Sequence, residues 1–151
     1  MKLSTKGRYG LRAMIDLAIN SKENQLSIKI ISERQNISEN YLEQIIAILK
    51  KNGFVKSCRG AQGGYSLTKE PADISVGDIL RALEGDLNPV DCITVNEDVQ
   101  CSEAELCVTK YVWKRISDSI NEVVDNISLE DLVHEQERID ACNPSKQIIK
   151  S

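Results

Sequence analysis

The chain has 151 residues, of which 41% are hydrophobic and 28% charged, the proportions of a soluble globular protein and not of a disordered or fibrous one. One Trp, one Phe and four Tyr leave the core to aliphatic side chains. Met1 to Lys6 carries charges and no apolar h-region, and no run approaches the ~18–20 apolar residues of a membrane span, so neither a secretory signal nor a spanning helix is expected and the expected location is cytoplasmic.

The net charge of −4 conceals a division. Residues 1–69 hold 12 Lys/Arg and 5 Asp/Glu, a net of +7, whereas residues 70–151 hold 7 and 18, a net of −11. A basic half attracts phosphates while an acidic half keeps the rest of the molecule away from them.

In chain order, the first predicted helix covers Gly7 to Asn20, with Tyr9, Leu11, Met14, Ile15, Leu17, Ala18 and Ile19 near the 3.6-residue period. A second follows the N-cap Ser27 and spans Ile28 to Arg34. After a turn at Gln35-Asn36-Ile37, Ser38 caps a third helix from Glu39 to Lys51, which places Leu42, Ile45, Ile46 and Leu49 on one face and stops at Asn52-Gly53. Two strand-like pieces, Phe54 to Cys58 and Tyr65 to Leu67, flank Arg59-Gly60-Ala61-Gln62-Gly63-Gly64, a tip rich enough in glycine to need unusual backbone angles. Helix, helix-turn-helix and glycine-tipped hairpin is the order of a winged helix.

A fourth helix begins after Ser75, with Asp78 completing a capping box. Residues 85–101 lose periodicity and read as a loop. A long helix is expected from Ser102, capped with Glu105, along which Leu106, Trp113, Ile120 and Ile127 stand one heptad apart and Ile116 and Val123 fill the intervening seam. Some 25 residues at ~1.5 Å each make a rod of nearly 40 Å, and such a seam suggests packing against its own copy; the alternative is that the fold covers it within one chain. A short helix from Leu129 to Glu137 follows, capped by Ser128 with Asp131, and the residues beyond Arg138 read as a loose tail. The expected fold is therefore mainly α with a small β-hairpin wing. It divides into a winged helix-turn-helix over 1–84, a cysteine-bearing sensor loop over 85–101, dimerisation helices over 102–138 and a tail over 139–151.

An α-helix enters the major groove and presents its N-terminal residues to base edges. Here that end carries Ser38, Glu39, Asn40, Tyr41, Glu43 and Gln44. Asn40 and Gln44 suit adenine; a glutamate such as Glu43 accepts from the cytosine amino group and repels phosphate. Arg59 on the Gly60 and Gly63 tip suits the minor groove, and Lys2, Lys6, Arg8 and Lys56 suit the backbone. Taken singly, each of these side chains is better explained by solvating a surface helix. The set on one motif in the basic half favours double-stranded DNA.

Cys92, Cys101 and Cys107 form a C-x8-C-x5-C arrangement. Thiolates select soft metals, and spacing alone does not separate an iron–sulfur cluster from zinc. Cys58 reads as a buried filler and Cys142 receives no role. No nucleophile–base pair, phosphate loop or histidine-rich site is present, and His134 is the one histidine, so an enzyme is not expected.

Together these segments resemble the IscR-type regulators, the winged-helix family called Rrf-two. The resemblance runs to about residue 140. Its most specific pieces are Met1-Lys2-Leu3-Ser4-Thr5-Lys6-Gly7-Arg8-Tyr9, Ile37-Ser38-Glu39-Asn40-Tyr41-Leu42-Glu43-Gln44, Lys51-Asn52-Gly53-Phe54-Val55-Lys56-Ser57, Arg59-Gly60-Ala61-Gln62-Gly63-Gly64-Tyr65 and Asn126-Ile127-Ser128-Leu129-Glu130-Asp131-Leu132-Val133. The resemblance implies a homodimer joined by the long helix, a partly palindromic operator, and an iron–sulfur cluster, [2Fe-2S] in the IscR type, held by Cys92, Cys101 and Cys107. It also implies control of cluster-assembly or cysteine-sulfur genes, with cluster-assembly proteins as possible partners. The chain departs from the pattern in the longer spacing between Cys92 and Cys101 and in Lys110, which stands where a histidine ligand is expected. Glu103, Glu105, a residue of the partner chain or solvent are the remaining fourth ligands. The alternative is the same DNA-binding dimer regulated by zinc, by oxidation of Cys101 and Cys107, or by a protein partner as in CymR-like members, which lack the cysteine trio.

Overall fold

Among residues 3–22, 24–61, 63–89 and 108–143, which the computed structural model describes, six helices and a two-stranded antiparallel hairpin follow one another. The order is α1 (Thr5–Asn20), α2 (Ile28–Gln35), α3 (Glu39–Lys51), β1 (Val55–Cys58), β2 (Gly64–Leu67), a single 3-10 turn at Pro71–Asp73, α4 (Val76–Glu84), α5 (Val108–Asp125) and α6 (Leu129–Cys142). The fold is mainly helical with a β-hairpin wing, as expected. No described helix is long and apolar enough to cross a membrane.

The periodic apolar residues become one core. Leu42, Ile45, Ile46 and Leu49 of α3 share one buried cluster with Ala13, Met14 and Leu17 of α1, Ile79 and Leu83 of α4, and Leu129 and Val133 of α6. Each large aliphatic side chain withdrawn from water contributes roughly 1.5–3 kcal/mol, and most of them here are fully buried. Between α2 and α3 the chain turns sharply because Asn36 adopts a left-handed conformation (φ 54°), the conformation asparagine tolerates best after glycine. The Ser38 hydroxyl then accepts from Tyr41 N at 3.3 Å and starts α3.

The hairpin pairs Val55 with Leu67 and Cys58 with Gly64. It is fixed to the segment between α1 and α2 by a bridge that periodicity did not reveal: Leu26 and Tyr65 exchange backbone hydrogen bonds of 3.0 and 2.8 Å. Gly64 permits that approach, since a Cβ there would lie 2.5 Å from the Leu26 carbonyl oxygen.

Two of the expected capping boxes, Ser75 with Asp78 and Ser128 with Asp131, are formed, and they lie side by side. Val76 N donates to Ile127 O and Leu129 N to Ile74 O, each at 2.8 Å, so the starts of α4 and α6 are tied together. Helix α6 runs to Cys142, five residues past the expected end at Glu137. The Asp140 side chain is buried and accepts from Gln136 Nε2 at 2.9 Å, so residues 139–142, expected in the tail, belong to the helix.

The heptad seam on α5 divides. Ile120 and Ile127, with Val124, pack on Val76, Leu80 and Leu87 within the chain. Ile116 and Val123 instead stand exposed with Val108, Tyr111 and Val112. A straight helix turns 3.6 residues at a time, so a seven-residue repeat drifts around its surface and splits between two neighbouring faces. Arg81 locks the inner face: its guanidinium donates to Asp125 Oδ1 at 2.7 Å and Oδ2 at 2.9 Å, and to Asn121 Oδ1 at 2.6 Å. Hydrogen bonding from Arg81 holds the Asp125 carboxyl below its usual range, against a smaller opposing effect of desolvation. The expected start at Ser102, with Glu105 and Leu106, lies outside the described residues.

Candidate nucleic-acid interface

Helix α3 is amphipathic along its whole length. While Leu42, Ile45, Ile46 and Leu49 anchor it, Asn40, Glu43, Gln44 and Ala47 are exposed at the spacing that defines one helical face. Three polar side chains of the expected set therefore share a surface able to enter a groove. Two others are engaged within the fold. The Ser38 hydroxyl caps the helix. Tyr41 is half-buried, with its hydroxyl 2.9 Å from Thr5 Oγ1 and its ring edge-on to Tyr9 at 6.2 Å.

The wing presents Arg59 at an exposed tip. Gly60 lies at φ 129°, a conformation that side-chain-bearing residues rarely adopt, and its carbonyl accepts from Gly63 N at 3.0 Å. A Cβ on Gly63 would stand 2.9 Å from the Cys58 carbonyl oxygen, so the tip closes only with glycine at that place. Lys50 Nζ donates to Ser57 Oγ at 3.0 Å and joins the end of α3 to the first wing strand.

The helix-turn-helix is held on α1 by a polar network that the sequence reading missed. Asp16 is fully buried and accepts from Arg34 Nη1 at 2.9 Å, Asn20 Nδ2 at 2.8 Å and Gln35 Nε2 at 3.2 Å. Arg12 donates to Gln35 Oε1 at 3.0 Å and to its backbone carbonyl at 3.1 Å, and its guanidinium lies over the Tyr9 ring. A buried carboxylate is tolerable when it is paired and hydrogen-bonded, and here both oxygens of Asp16 accept hydrogen bonds, one of them from a guanidinium. The available signal was one aspartate among the apolar positions Met14, Ile15 and Leu17.

Cys92, Cys101 and Cys107 lie outside the described residues, as do Lys2, Gln62, Glu103 and Glu105. Among the described residues no group of three or more His, Cys, Asp or Glu side chains could hold a metal ion. Cys58 is half-buried with its Sγ 3.8 Å from Ser66 Oγ, Cys142 is exposed, and His134 and Lys110 are exposed on α6 and α5.

This arrangement recurs in known proteins. Residues 3–135 match the family model described as Rrf2, iron-dependent transcriptional regulator. The HTH-type transcriptional regulator CymR of Bacillus subtilis is 48% identical over 132 residues, covering 87% of this chain and 89% of the relative. Its solved structure, described as the global cysteine regulator, has a TM-score of 0.72 at 47% identity and covers 89% of this chain and 98% of that one. The regulator IscR of Escherichia coli K12 / DH10B is 40% identical over 140 residues, covering 93% of this chain and 85% of the relative. The structure of T. potens IscR aligns with a TM-score of 0.75 at 49% identity, covering 92% of this chain and 90% of that one. Named transcriptional regulators of matching length on every side make this a regulator and not an enzyme. The chain belongs to the Rrf2 family of DNA-binding transcriptional regulators.

Proposed function

We propose that the protein is a homodimer that reads a partly palindromic operator with α3 and the wing, and that it senses iron–sulfur status through Cys92, Cys101 and Cys107. The single observation that carries the DNA reading is the exposed Asn40–Glu43–Gln44 face on a helix whose other face is fully anchored. In this reading Asn40 and Gln44 address base edges and Glu43 narrows the set of tolerated sites. Arg59 enters the minor groove from the Gly60 and Gly63 tip. Ser38 and Tyr41 hold the start of α3 in place.

Dimerisation is assigned to the outer stripe of α5. Val108 is 83% exposed, Tyr111 64%, Val123 57% and Val112 45%, an apolar surface that a second copy would cover. Two recognition helices then read two half-sites, the usual consequence of two-fold symmetry.

Three thiolates are a suitable donor set for an iron–sulfur cluster, and the family description is iron-dependent. When bound, such a group supplies a redox- and iron-sensitive occupancy; Cys92, Cys101 and Cys107 would hold it. Controlled genes would serve cluster assembly or cysteine-sulfur metabolism, with cluster-assembly proteins as possible partners and the cytoplasm as the site of action. A second reading keeps the dimer and the operator but regulates them through zinc, thiol oxidation or a protein partner. The 48% identity to CymR favours it.

The test is anaerobic purification of the full chain, followed by its visible absorption spectrum with iron and acid-labile sulfide assays, beside Cys92→Ala. Coloured protein with matching iron and sulfide, lost in the variant, is the expected result. A colourless protein that resists reconstitution would overturn the cluster reading and move the assignment to the second one.

A further inference from the structure

Helix α1 begins without a cap of its own. Ser4 occupies the N-cap position, yet its side chain makes no capping bond to the helix, and no acidic residue lies in the first turn. The missing acceptor comes from 80 residues away. Glu84, the last residue of α4, accepts from Ser4 N and Gly7 N, each at 3.0 Å, and from the Ser4 hydroxyl. A carboxylate there occupies two of the N–H groups a helix start leaves open and lies at the positive end of the helix dipole. The approach is made possible by Gly7, where a Cβ would overlap the Glu84 carboxylate. A neighbouring glycine, Gly10, is filled in the same way by Leu83, so α4 is seated against α1 at two consecutive residues.

The turn that Glu84 fixes is also the one that holds the recognition helix. Thr5, the first residue of α1, places its hydroxyl 2.9 Å from the Tyr41 hydroxyl, and Tyr9 stands edge-on to the Tyr41 ring one turn later. Tyr41 lies in the first turn of α3, directly beside Asn40 and two positions before Glu43. A continuous chain of contacts therefore runs from the end of α4 through the start of α1 to the end of α3 that would meet base edges. In sequence, Glu84 stands eight residues before Cys92.

We propose that Glu84 is a positioning residue for DNA recognition: by capping α1 it fixes Thr5 against Tyr41 and so sets how the Asn40–Glu43–Gln44 face is presented. The proposal rests on the DNA reading given above and adds to it a residue that touches no DNA. Loss of the cap frees the first turn of α1, which loosens the α3 start without removing any base-contacting group. Sequence discrimination should then fall more than general affinity for phosphate.

The experiment uses the full chain and a duplex selected from a random-sequence library with wild-type protein, with a scrambled duplex as reference. Glu84→Ala is expected to lower affinity for the selected duplex about tenfold, the upper range of a lost cap, and to change affinity for the scrambled one by less than about twofold. Glu84→Gln keeps an oxygen that accepts both backbone N–H groups and should recover most of the discrimination. Thr5→Val should reproduce the Glu84→Ala defect, and the double variant should be no worse than either single one, because both act on one contact chain. Hydrogen exchange at Ser4 to Gly7 should accelerate in Glu84→Ala. Equal weakening on both duplexes, or additive losses in the double variant, would overturn the proposal. A wild-type protein that selects no duplex would remove the DNA reading itself, and the positioning role with it, a result distinct from a wild-type protein that selects one and is indifferent to Glu84.

Discussion

Helices α3 and α5 are both amphipathic, yet they complete their apolar faces in opposite ways. On α3, Leu42, Ile45, Ile46 and Leu49 are at most 1% exposed, and all the partners that cover them belong to the same chain. On α5 the one buried residue is Ser117, while Val108, Tyr111, Val112, Ile116 and Val123 face solvent. The contrast teaches where each half of the molecule gets its stability. The helix-turn-helix is finished by its own core and by the Asp16 network. The outer face of α5 is left open among the described residues, and it is the face assigned above to the second copy of the proposed dimer.

Four substitutions break or sharpen this contrast. Leu42→Ala removes a fully buried side chain and should cost about 2–5 kcal/mol of unfolding free energy at any protein concentration, read by denaturant titration. Ile116→Asp places a charge on the open stripe of α5. It should raise the dimer dissociation constant roughly thirtyfold, about 2 kcal/mol, with the helical content of the chain preserved. Sedimentation velocity over a concentration series separates the two: the first variant unfolds, the second dissociates. Arg59→Ala should weaken operator binding by about 1–3 kcal/mol, and Lys22→Ala, also exposed but away from the wing tip, by much less. Equal effects in an anisotropy titration would remove the wing from the interface.

The smallest effect concerns the lock between α4 and α5. The folded pKa of Asp125 is depressed by its hydrogen bonds from Arg81, so the pair contributes stability above the unfolded carboxylate pKa of about 4 and loses it as pH falls through the lower folded value. Asp125 is 45% exposed, so solvent screening keeps this under about 1 kcal/mol. Asp125→Asn should therefore trail the wild type's stability at neutral pH and approach it as pH falls through the lowered folded pKa of Asp125. A constant difference across that range would assign the loss to packing beside Gly77 instead.

The sequence made some of this legible because the signals were local. The ends of α3 came out at Glu39 and Lys51 because Ser38 caps one end and Asn52-Gly53 breaks the other. The boxes at Ser75 and Ser128 fixed the starts of α4 and α6 in the same manner. What escaped was supplied from a distance. Glu84 caps α1 across 80 residues, and Leu26 joins the wing sheet across 39, links that no periodicity encodes. Tyr41 was read only for its ability to donate or accept at a groove, and its packing on Thr5 and Tyr9 of α1 comes from a segment 32 to 36 residues away that local periodicity does not encode. The end of α6 was read too early because Asp140, a polar residue, is what that last turn buries.

The most direct test of the central claim is a selection from a random-sequence duplex library with the full chain, repeated with Gln44→Ala. Enriched sequences are expected to show two-fold symmetry and half-sites about one helical turn or a multiple of it apart, with the preference relaxed at one matching position in each half by the variant. Enrichment of asymmetric sequences, or a variant whose selected sequences are identical to those of the wild type, would contradict it.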